Sequence, residues 1–280
     1  MDVLVTGLLP YDSGKTTFAK FLIEGAIERG IDVGFSKPIS GISGWYQYKY
    51  IVKSIEAGIL IGEDMFKLHI AAKSSDPIEY EGPVVSLLLP PDPEKVGWKV
   101  SVYSPYSNQI SVIRISDLER TKHYYVPSNI ERAIASLKGE LRKLLNIVKA
   151  EPVDAKNSEK LILNSRKYAD KCLDYLKDRH EFFVVESYNN SAAPTAKALE
   201  VDLVVVVTPG KAAIFSGSSY KRAILALSSI KDPWKVVTED VISLLEPILV
   251  IDVKTKKTDV FEKIAKVAKA SNYQINSLNS

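Results

Sequence analysis

The stretch Gly7-Leu8-Leu9-Pro10-Tyr11-Asp12-Ser13-Gly14-Lys15-Thr16-Thr17 lies between two segments of different periodicity. The apolar run Val3-Leu4-Val5 before it is typical of a buried parallel strand. Residues 15–29 after it place Phe18 and Leu22 on one face, which predicts an amphipathic helix. A strand, a glycine-containing loop and a helix in this order predict an anion site, because the N–H groups of such a loop and of the helix N-terminus face a phosphate.

The loop is similar to the Walker A pattern, in which Gly, four residues and Gly-Lys-Ser/Thr follow one another. Here six residues separate Gly7 from Gly14, so that Leu9 stands where the first glycine is expected. The strand and the helix on either side support the assignment despite the longer spacing. Lys15 is expected to reach the β- and γ-phosphates of ATP, and the Thr16 hydroxyl is expected to bind Mg²⁺. The residues expected to hold the nucleotide are Asp12, Ser13, Gly14, Lys15, Thr16 and Thr17.

Two charged residues follow other predicted strands. Residues 31–36 are predicted as a strand that ends at Lys37, and residues 182–185 as a buried strand that ends at Glu186. Ligands bind beyond the carboxyl ends of parallel strands, so both side chains are expected near the phosphate site. Lys37 could neutralise charge on a transferred phosphoryl group, and Glu186 is a candidate anchor for Mg²⁺. Each could instead be an ordinary residue at the end of a strand.

Strands and helices alternate at both ends of the chain. This alternation predicts an α/β fold, a single P-loop NTPase domain over residues 1–280 with a mostly parallel sheet covered by helices on both faces. Residues 94–180 are predicted as an inserted lobe, with a hairpin near 110–115 followed by helices. Elsewhere the predicted strands are 202–207, 234–237 and 248–251, and the predicted helices are 214–227 and 259–270.

The composition narrows the class of protein. Hydrophobic residues make up 46% and charged residues 25% of the 280 positions, as in soluble globular proteins. The net charge of +3 is too small to indicate nucleic acid or a membrane by itself. No apolar run approaches the roughly 20 residues that span a bilayer, and the N-terminus lacks the basic region of a signal peptide. We therefore expect a cytoplasmic protein with no membrane partner.

The cysteine and the histidines show no pattern of a catalytic or metal site. Cys172 excludes an internal disulfide because it is the single cysteine of the sequence. It lies in a charged helical stretch without a glycine elbow, so it is expected to be structural and not a glutaminase nucleophile. His69, His123 and His180 lack the spacing of metal ligands and are expected to be structural or exposed.

The loop at 7–17, the segment Lys37-Pro38-Ile39-Ser40-Gly41 and Glu186 together resemble the dethiobiotin synthetase family, which carries such elements in this order. The segment 63–68 resembles the family stretch with a Mg²⁺-binding aspartate, which would be Asp64. The resemblance implies that Lys15 and Lys37 are catalytic groups at the transferring γ-phosphate, and that Thr16, Asp64 and Glu186 bind Mg²⁺. It also implies that Lys37, Ser40 and Ser187 face a small-molecule substrate, and it suggests a homodimer.

The chain departs from the family at two places. Ser187-Tyr188-Asn189-Asn190 replaces Gly-x-Gly-Gly, and the adenine-binding segment has no match near Thr238. The leading hypothesis is a Mg²⁺-dependent ATPase or ATP-dependent ligase that phosphorylates or ligates a small carboxylate or carbamate. Three alternatives stay open: dethiobiotin synthase itself, a nucleotide-dependent switch that binds a partner protein, and a nucleic-acid-directed kinase. The kinase rests on the 15 Lys/Arg against 10 Asp/Glu between Arg114 and His180.

Overall fold

The computed structural model describes the backbone of residues 1–253 and 257–278, and the side chains of residues 1–253 and 259–270. The strands of these residues are, in chain order, β1 Asp2–Gly7, β2 Val33–Ser36, β3 Ile39–Ser43, β4 Val84–Leu88, β5 Ile110–Ser116, β6 Thr121–Tyr125, β7 Glu151–Pro152, β8 Phe182–Glu186, β9 Leu203–Thr208, β10 Lys211–Ser216 and β11 Leu249–Asp252.

The α-helices are α1 Lys15–Ile27, α2 Tyr48–Ala57, α3 Glu63–Ala72, α4 Ile78–Glu81, α5 Val100–Tyr103, α6 Pro127–Arg132, α7 Lys138–Val148, α8 Ala155–Asn164, α9 Arg166–Lys177, α10 Gly217–Leu227, α11 Thr238–Ile242 and α12 Lys257–Leu278. No helix among the described residues is long and apolar enough to cross a membrane. Short 3₁₀ turns occur at Tyr106–Asn108, Ala135–Leu137, Lys197–Leu199 and Pro233–Lys235.

The chain divides into two compact units. The first contains residues 1–38, 67–77 and 173–280, and the second contains residues 39–66 and 78–172. The second unit overlaps the predicted lobe of 94–180 but begins earlier in the chain, because β3 and β4 belong to its sheet.

The first unit is built on a six-stranded sheet of order β11-β10-β9-β1-β8-β2. β1 pairs in parallel with both β8 and β9, and β8 pairs in parallel with β2. These strands are apolar runs that are almost completely buried, as expected for a parallel sheet. The buried face of α1, which includes Phe18 and Leu22, packs against β1, β8 and α12. The strand, loop and helix predicted around residues 7–17 are therefore confirmed.

The sheet is mixed: three of its five strand pairs are parallel, so the arrangement is not parallel throughout. β10 pairs antiparallel with both β9 and β11. The cause is the tight turn after β9, where Gly210 has φ = 80°, a conformation that glycine adopts without steric cost. This turn returns the chain immediately beside β9, so the helix predicted over 214–227 begins only at Gly217.

Two other predictions of the C-terminal third differ in outcome. The strand predicted at 234–237 is wrong, because a 3₁₀ turn occupies Pro233–Lys235 and Val237 makes only an isolated bridge to Ser191. The last strand is confirmed as β11.

The second unit contains a five-stranded sheet of order β3-β4-β5-β6-β7. Its outer pairs, β3–β4 and β6–β7, are parallel, whereas β4–β5 and β5–β6 are antiparallel. The predicted hairpin near 110–115 is confirmed as β5 and β6. A buried cluster that includes Leu141 and Leu144 of α7 and Ile51 of α2 packs with Leu87 and Val112 of the sheet. The whole chain is thus an α/β fold with two mixed sheets.

Candidate functional site

The loop between β1 and α1 has two residues in the left-handed region. Gly14, directly before the helix, has φ = 85°, and Asp12 has φ = 54°. The Leu8 N–H donates to the carbonyl of Val207 in β9 at 3.0 Å, and the Phe18 N–H donates to the Gly14 carbonyl at 3.0 Å. The N–H groups of the first helical turn precede this bond and so receive no acceptor from the helix itself. The loop therefore presents backbone donors at the carboxyl end of β1.

The Ser13 side chain closes the loop through two hydrogen bonds to the backbone of Leu9. Its buried hydroxyl accepts a hydrogen bond from the Leu9 N–H at 3.1 Å and donates to the Leu9 carbonyl at 2.9 Å. A Cβ atom on Gly7 would lie only 2.6 Å from the Ser13 Oγ and 3.1 Å from the Lys15 Cδ. Glycine is thus required at position 7 because the Ser13 and Lys15 side chains approach its backbone closely. The Ser13 hydroxyl thus closes the loop, and the predicted contact of Ser13 with ATP stays a prediction.

The remaining loop residues differ in exposure. Asp12 and Thr17 are exposed, whereas Lys15 and Thr16 are half-buried. Of the predicted nucleotide ligands, Lys15 and Thr16 are therefore the two whose side chains the fold holds near the strand ends.

The Glu186 side chain lies where three neighbouring strands, β1, β8 and β2, end. Its Oε1 accepts a hydrogen bond from the Thr16 Oγ1 at 2.7 Å and forms an ion pair with the Lys37 Nζ at 2.8 Å. The registers explain the meeting, because Val5 of β1 lies opposite Glu186, and Ser36 of β2 lies opposite Val185. The three predicted residues of the first unit thus come together at the carboxyl ends of β1, β2 and β8.

This cluster is shielded from water. The side chain of Glu186 is fully buried and that of Lys37 is 4% exposed. Burying two charges is costly unless they are paired and hydrogen-bonded, as they are here. The Thr16 hydroxyl donates its one proton to Glu186, so its lone pairs stay available to a cation.

The donor set fits Mg²⁺ and a phosphate chain. A hydroxyl oxygen beside a carboxylate is a set of hard oxygen ligands, which Mg²⁺ prefers. The Ser13 and Lys15 side chains pack against Gly7 where a Cβ atom would stand, and the first turn of α1 adds backbone N–H donors. No group of three or more His, Cys, Asp or Glu side chains that could hold a metal ion occurs in the part of the chain that the structure describes. A cation here would therefore be held by Thr16 and Glu186 with water and phosphate oxygens, a usual arrangement for Mg²⁺.

The other predicted site residues have different surroundings. Ser187 is fully buried, and its hydroxyl donates to the Ser191 carbonyl at 2.7 Å, so it stabilises its own loop. Asp64 lies in the first turn of α3, and Ser40 lies in β3 with 4% of its surface exposed. Both belong to the second unit, and their proposed contacts with Mg²⁺ and substrate stay predictions.

A pair of buried hydroxyls, those of Thr6 and Thr238, was not predicted. Thr6 precedes Gly7, Thr238 begins α11, and their Oγ1 atoms are 2.8 Å apart. Because the two threonines are 232 positions apart in the chain, no local sequence pattern links them.

Comparison of the chain with protein-family models, with curated proteins and with solved structures gave no match.

Proposed function

We propose that the chain is a Mg²⁺-dependent P-loop protein that binds ATP and acts as an ATPase or ATP-dependent ligase on a small carboxylate or carbamate. One observation carries the proposal: Glu186 Oε1 accepts from both Thr16 and Lys37 where three parallel strands end. The loop before α1 lies at the same edge, as ligand sites of open parallel sheets do. This edge combines backbone donors, a lysine, a hydroxyl and a carboxylate, the groups that phosphoryl transfer uses.

Each residue has a defined part. The N–H groups of the first turn of α1 donate to phosphate oxygens, and Lys15 adds a positive charge over the loop. Thr16 and Glu186 supply oxygen ligands for Mg²⁺, which neutralises phosphate charge when bound. Lys37 is held beside Glu186 by a 2.8 Å ion pair and supplies a second fixed positive charge for the transferred group. Burial strengthens these interactions because the local dielectric is low.

The acceptor class rests on the resemblance to the dethiobiotin synthetase family, which is part of this proposal. Transfer of the γ-phosphoryl group to a carboxylate or carbamate oxygen activates the carbonyl carbon, and a nitrogen then forms a bond to that carbon as the C–O bond to phosphate breaks and phosphate leaves. The loop after Glu186 carries Ser187, Asn189 and Asn190 at the positions of the family's glycines. These larger side chains favour an acceptor other than the one used by dethiobiotin synthase itself.

The test is phosphate release from ATP by the full chain, with and without Mg²⁺. A panel of small carboxylic acids, diamines and oligonucleotides is added to separate the acceptor classes. We expect Mg²⁺-dependent release that a small acid or diamine stimulates and that Thr16→Ala lowers by at least tenfold. Ser229→Ala, which removes an exposed hydroxyl at the end of α10, is the matched control. Absence of ATP binding by the folded wild-type chain would refute the proposal.

A further inference from the structure

The loop of residues 187–191, which directly follows Glu186, has its carbonyl groups bound by buried hydroxyls. The Ser191 carbonyl accepts from the Ser187 Oγ at 2.7 Å and from the Thr6 Oγ1 at 2.9 Å. Thr6 is fully buried and is the last residue before Gly7. One carbonyl of the loop is therefore tied to the strand that leads into the phosphate loop.

The preceding carbonyl, that of Asn190, is bound from α11. It accepts from the Thr238 N–H at 2.8 Å and from the Thr238 Oγ1 at 3.1 Å. The Thr238 hydroxyl also lies 2.8 Å from that of Thr6. Because Thr6 gives its proton to Ser191, the Thr238 hydroxyl is the donor to Thr6 or to Asn190. Buried hydroxyls linked in this way strengthen one another and fix a single arrangement.

The centre of the loop is more exposed than its two ends, Ser187 and Ser191. Tyr188, Asn189 and Asn190 are half-buried, and Asn189 has φ = 45°, in the left-handed region. Asn adopts this conformation more readily than most non-glycine residues. The hydroxyl bonds to the carbonyls of Asn190 and Ser191 hold the backbone that follows it.

We propose that Thr238 is a positioning residue that holds the 187–191 loop in the conformation needed beside Glu186. The expected effect of Thr238 on turnover rests on the proposed function. Its expected effect on the loop conformation rests on geometry alone. The Thr238 hydroxyl lies against the Thr6 hydroxyl and the Asn190 carbonyl, so it acts through the loop. Its loss should slow turnover and leave ATP affinity unchanged.

The experiment compares Thr238→Val, Thr238→Ser and Ser243→Ala in the full chain. Valine keeps the shape and the backbone N–H bond but removes the hydroxyl, whereas serine restores the hydroxyl. Ser243 carries an exposed hydroxyl at the end of the same helix. The first readout is hydrogen–deuterium exchange at residues 187–192, with the amides of α1 as internal reference. We expect at least tenfold faster local exchange in Thr238→Val, and wild-type exchange in the other two variants.

The second readout is the split between kcat and KM for ATP in phosphate release. Thr238→Val should lower kcat by about tenfold with KM within twofold of wild type, and Thr238→Ser should restore kcat. Unchanged exchange at 187–192, or an equal increase throughout the sheet, would overturn the proposal. If Thr238→Val does not fold, Thr6→Val removes the same network from its other end and is judged by the same criteria. A wild-type chain without phosphate release would count against the proposed function, while the exchange result would still decide the role of Thr238.

Discussion

Thr16 donates its hydroxyl proton to Oε1 of Glu186 over 2.7 Å, although 170 positions separate the two residues in the chain. The bond crosses from the first turn of α1 to the end of β8. Lys37 binds the same oxygen from the end of β2. One carboxylate oxygen at the end of β8 thus connects the first turn of α1 to the end of β2, and the variants below test what each connection does.

Lys15→Ala is expected to weaken ATP binding by roughly 10- to 100-fold, the range for loss of a hydrogen bond to a charged group. Stability should change little, because Lys15 is half-buried over a loop and does not belong to the core. Titration with ATP by calorimetry measures the affinity, and urea unfolding measures the stability. Lys20→Ala, at an exposed lysine one turn further along α1, is the control. Wild-type affinity in Lys15→Ala would rule out this lysine as a phosphate ligand.

Glu186→Gln is expected to destabilise the fold by about 3–5 kcal/mol, because it leaves the buried Lys37 ammonium without its carboxylate. The double variant Lys37→Met, Glu186→Gln removes both charges and should recover much of this loss. Urea unfolding of the wild type and the variants gives the free energies of unfolding. Equal destabilisation in the single and double variants would mean that packing, and not the buried charge, sets the cost.

Gly7→Ala is expected to distort the phosphate loop, because the new Cβ atom would lie 2.6 Å from the Ser13 Oγ and 2.9 Å from its Cβ. We expect a loss of about 1–3 kcal/mol in stability, typical of overpacking, together with weaker ATP binding. Gly139→Ala is the matched control, since no atom lies within 4 Å of its new Cβ in α7. That variant should be neutral or more stable by up to about 1 kcal/mol. A Gly7→Ala protein that melts and binds like wild type would contradict the close approach.

His123 predicts a pH dependence of stability in the second unit. Burial, and then the charge of Arg114, lower the His123 pKa from 6.5 to about 4. The ring accepts a hydrogen bond from the Leu60 N–H at its Nε2 at 3.1 Å, which requires that nitrogen to be unprotonated. Between these pKa values the unfolded chain binds a proton that the folded chain does not. The contribution of neutral His123 to the free energy of unfolding is therefore fully present above pH 6.5, and it falls by up to about 3 kcal/mol as the pH drops to 4.

The matched variant is His123→Gln, whose amide oxygen can accept from Leu60 but does not titrate. Urea unfolding at pH 7.5, 5.5 and 4.5 should give a smaller fall in stability for this variant than for the wild type. Parallel curves would show that other groups carry the acid sensitivity.

Local patterns predicted the elements around residues 7–17 correctly, because an apolar run and a helical stripe each need only a short window. The rule that ligands collect at the carboxyl ends of parallel strands predicted that Lys37 and Glu186 lie near the loop, and the geometry agrees. Their chemical roles stay predictions. β10 was missed because Ile214 and Phe215 fit the beginning of a helix as well as a short strand. The turn at Gly210 decided between them through its backbone conformation.

The hydroxyl network could not be predicted for a different reason. Whether Thr6 and Thr238 meet depends on the position of α11 relative to β1, which no single segment encodes. Ser13 and Ser187 show the same limit: the bonds of their hydroxyls to carbonyls of their own loops were not predicted, and their proposed ligand contacts stay predictions.

The wide separation of Thr16 and Glu186 in the chain also determines when their contact can form during synthesis. At about 5–20 residues per second, a ribosome needs roughly 10–35 s to extend the chain from one to the other. Throughout that interval β1 lacks both of its neighbours, because β8 and β9 both come from the last 100 residues of the chain. A nucleotide can stabilise only a chain that already has its binding site. If the chain binds ATP as proposed, ATP favours finished molecules of this protein and gives no help to nascent ones.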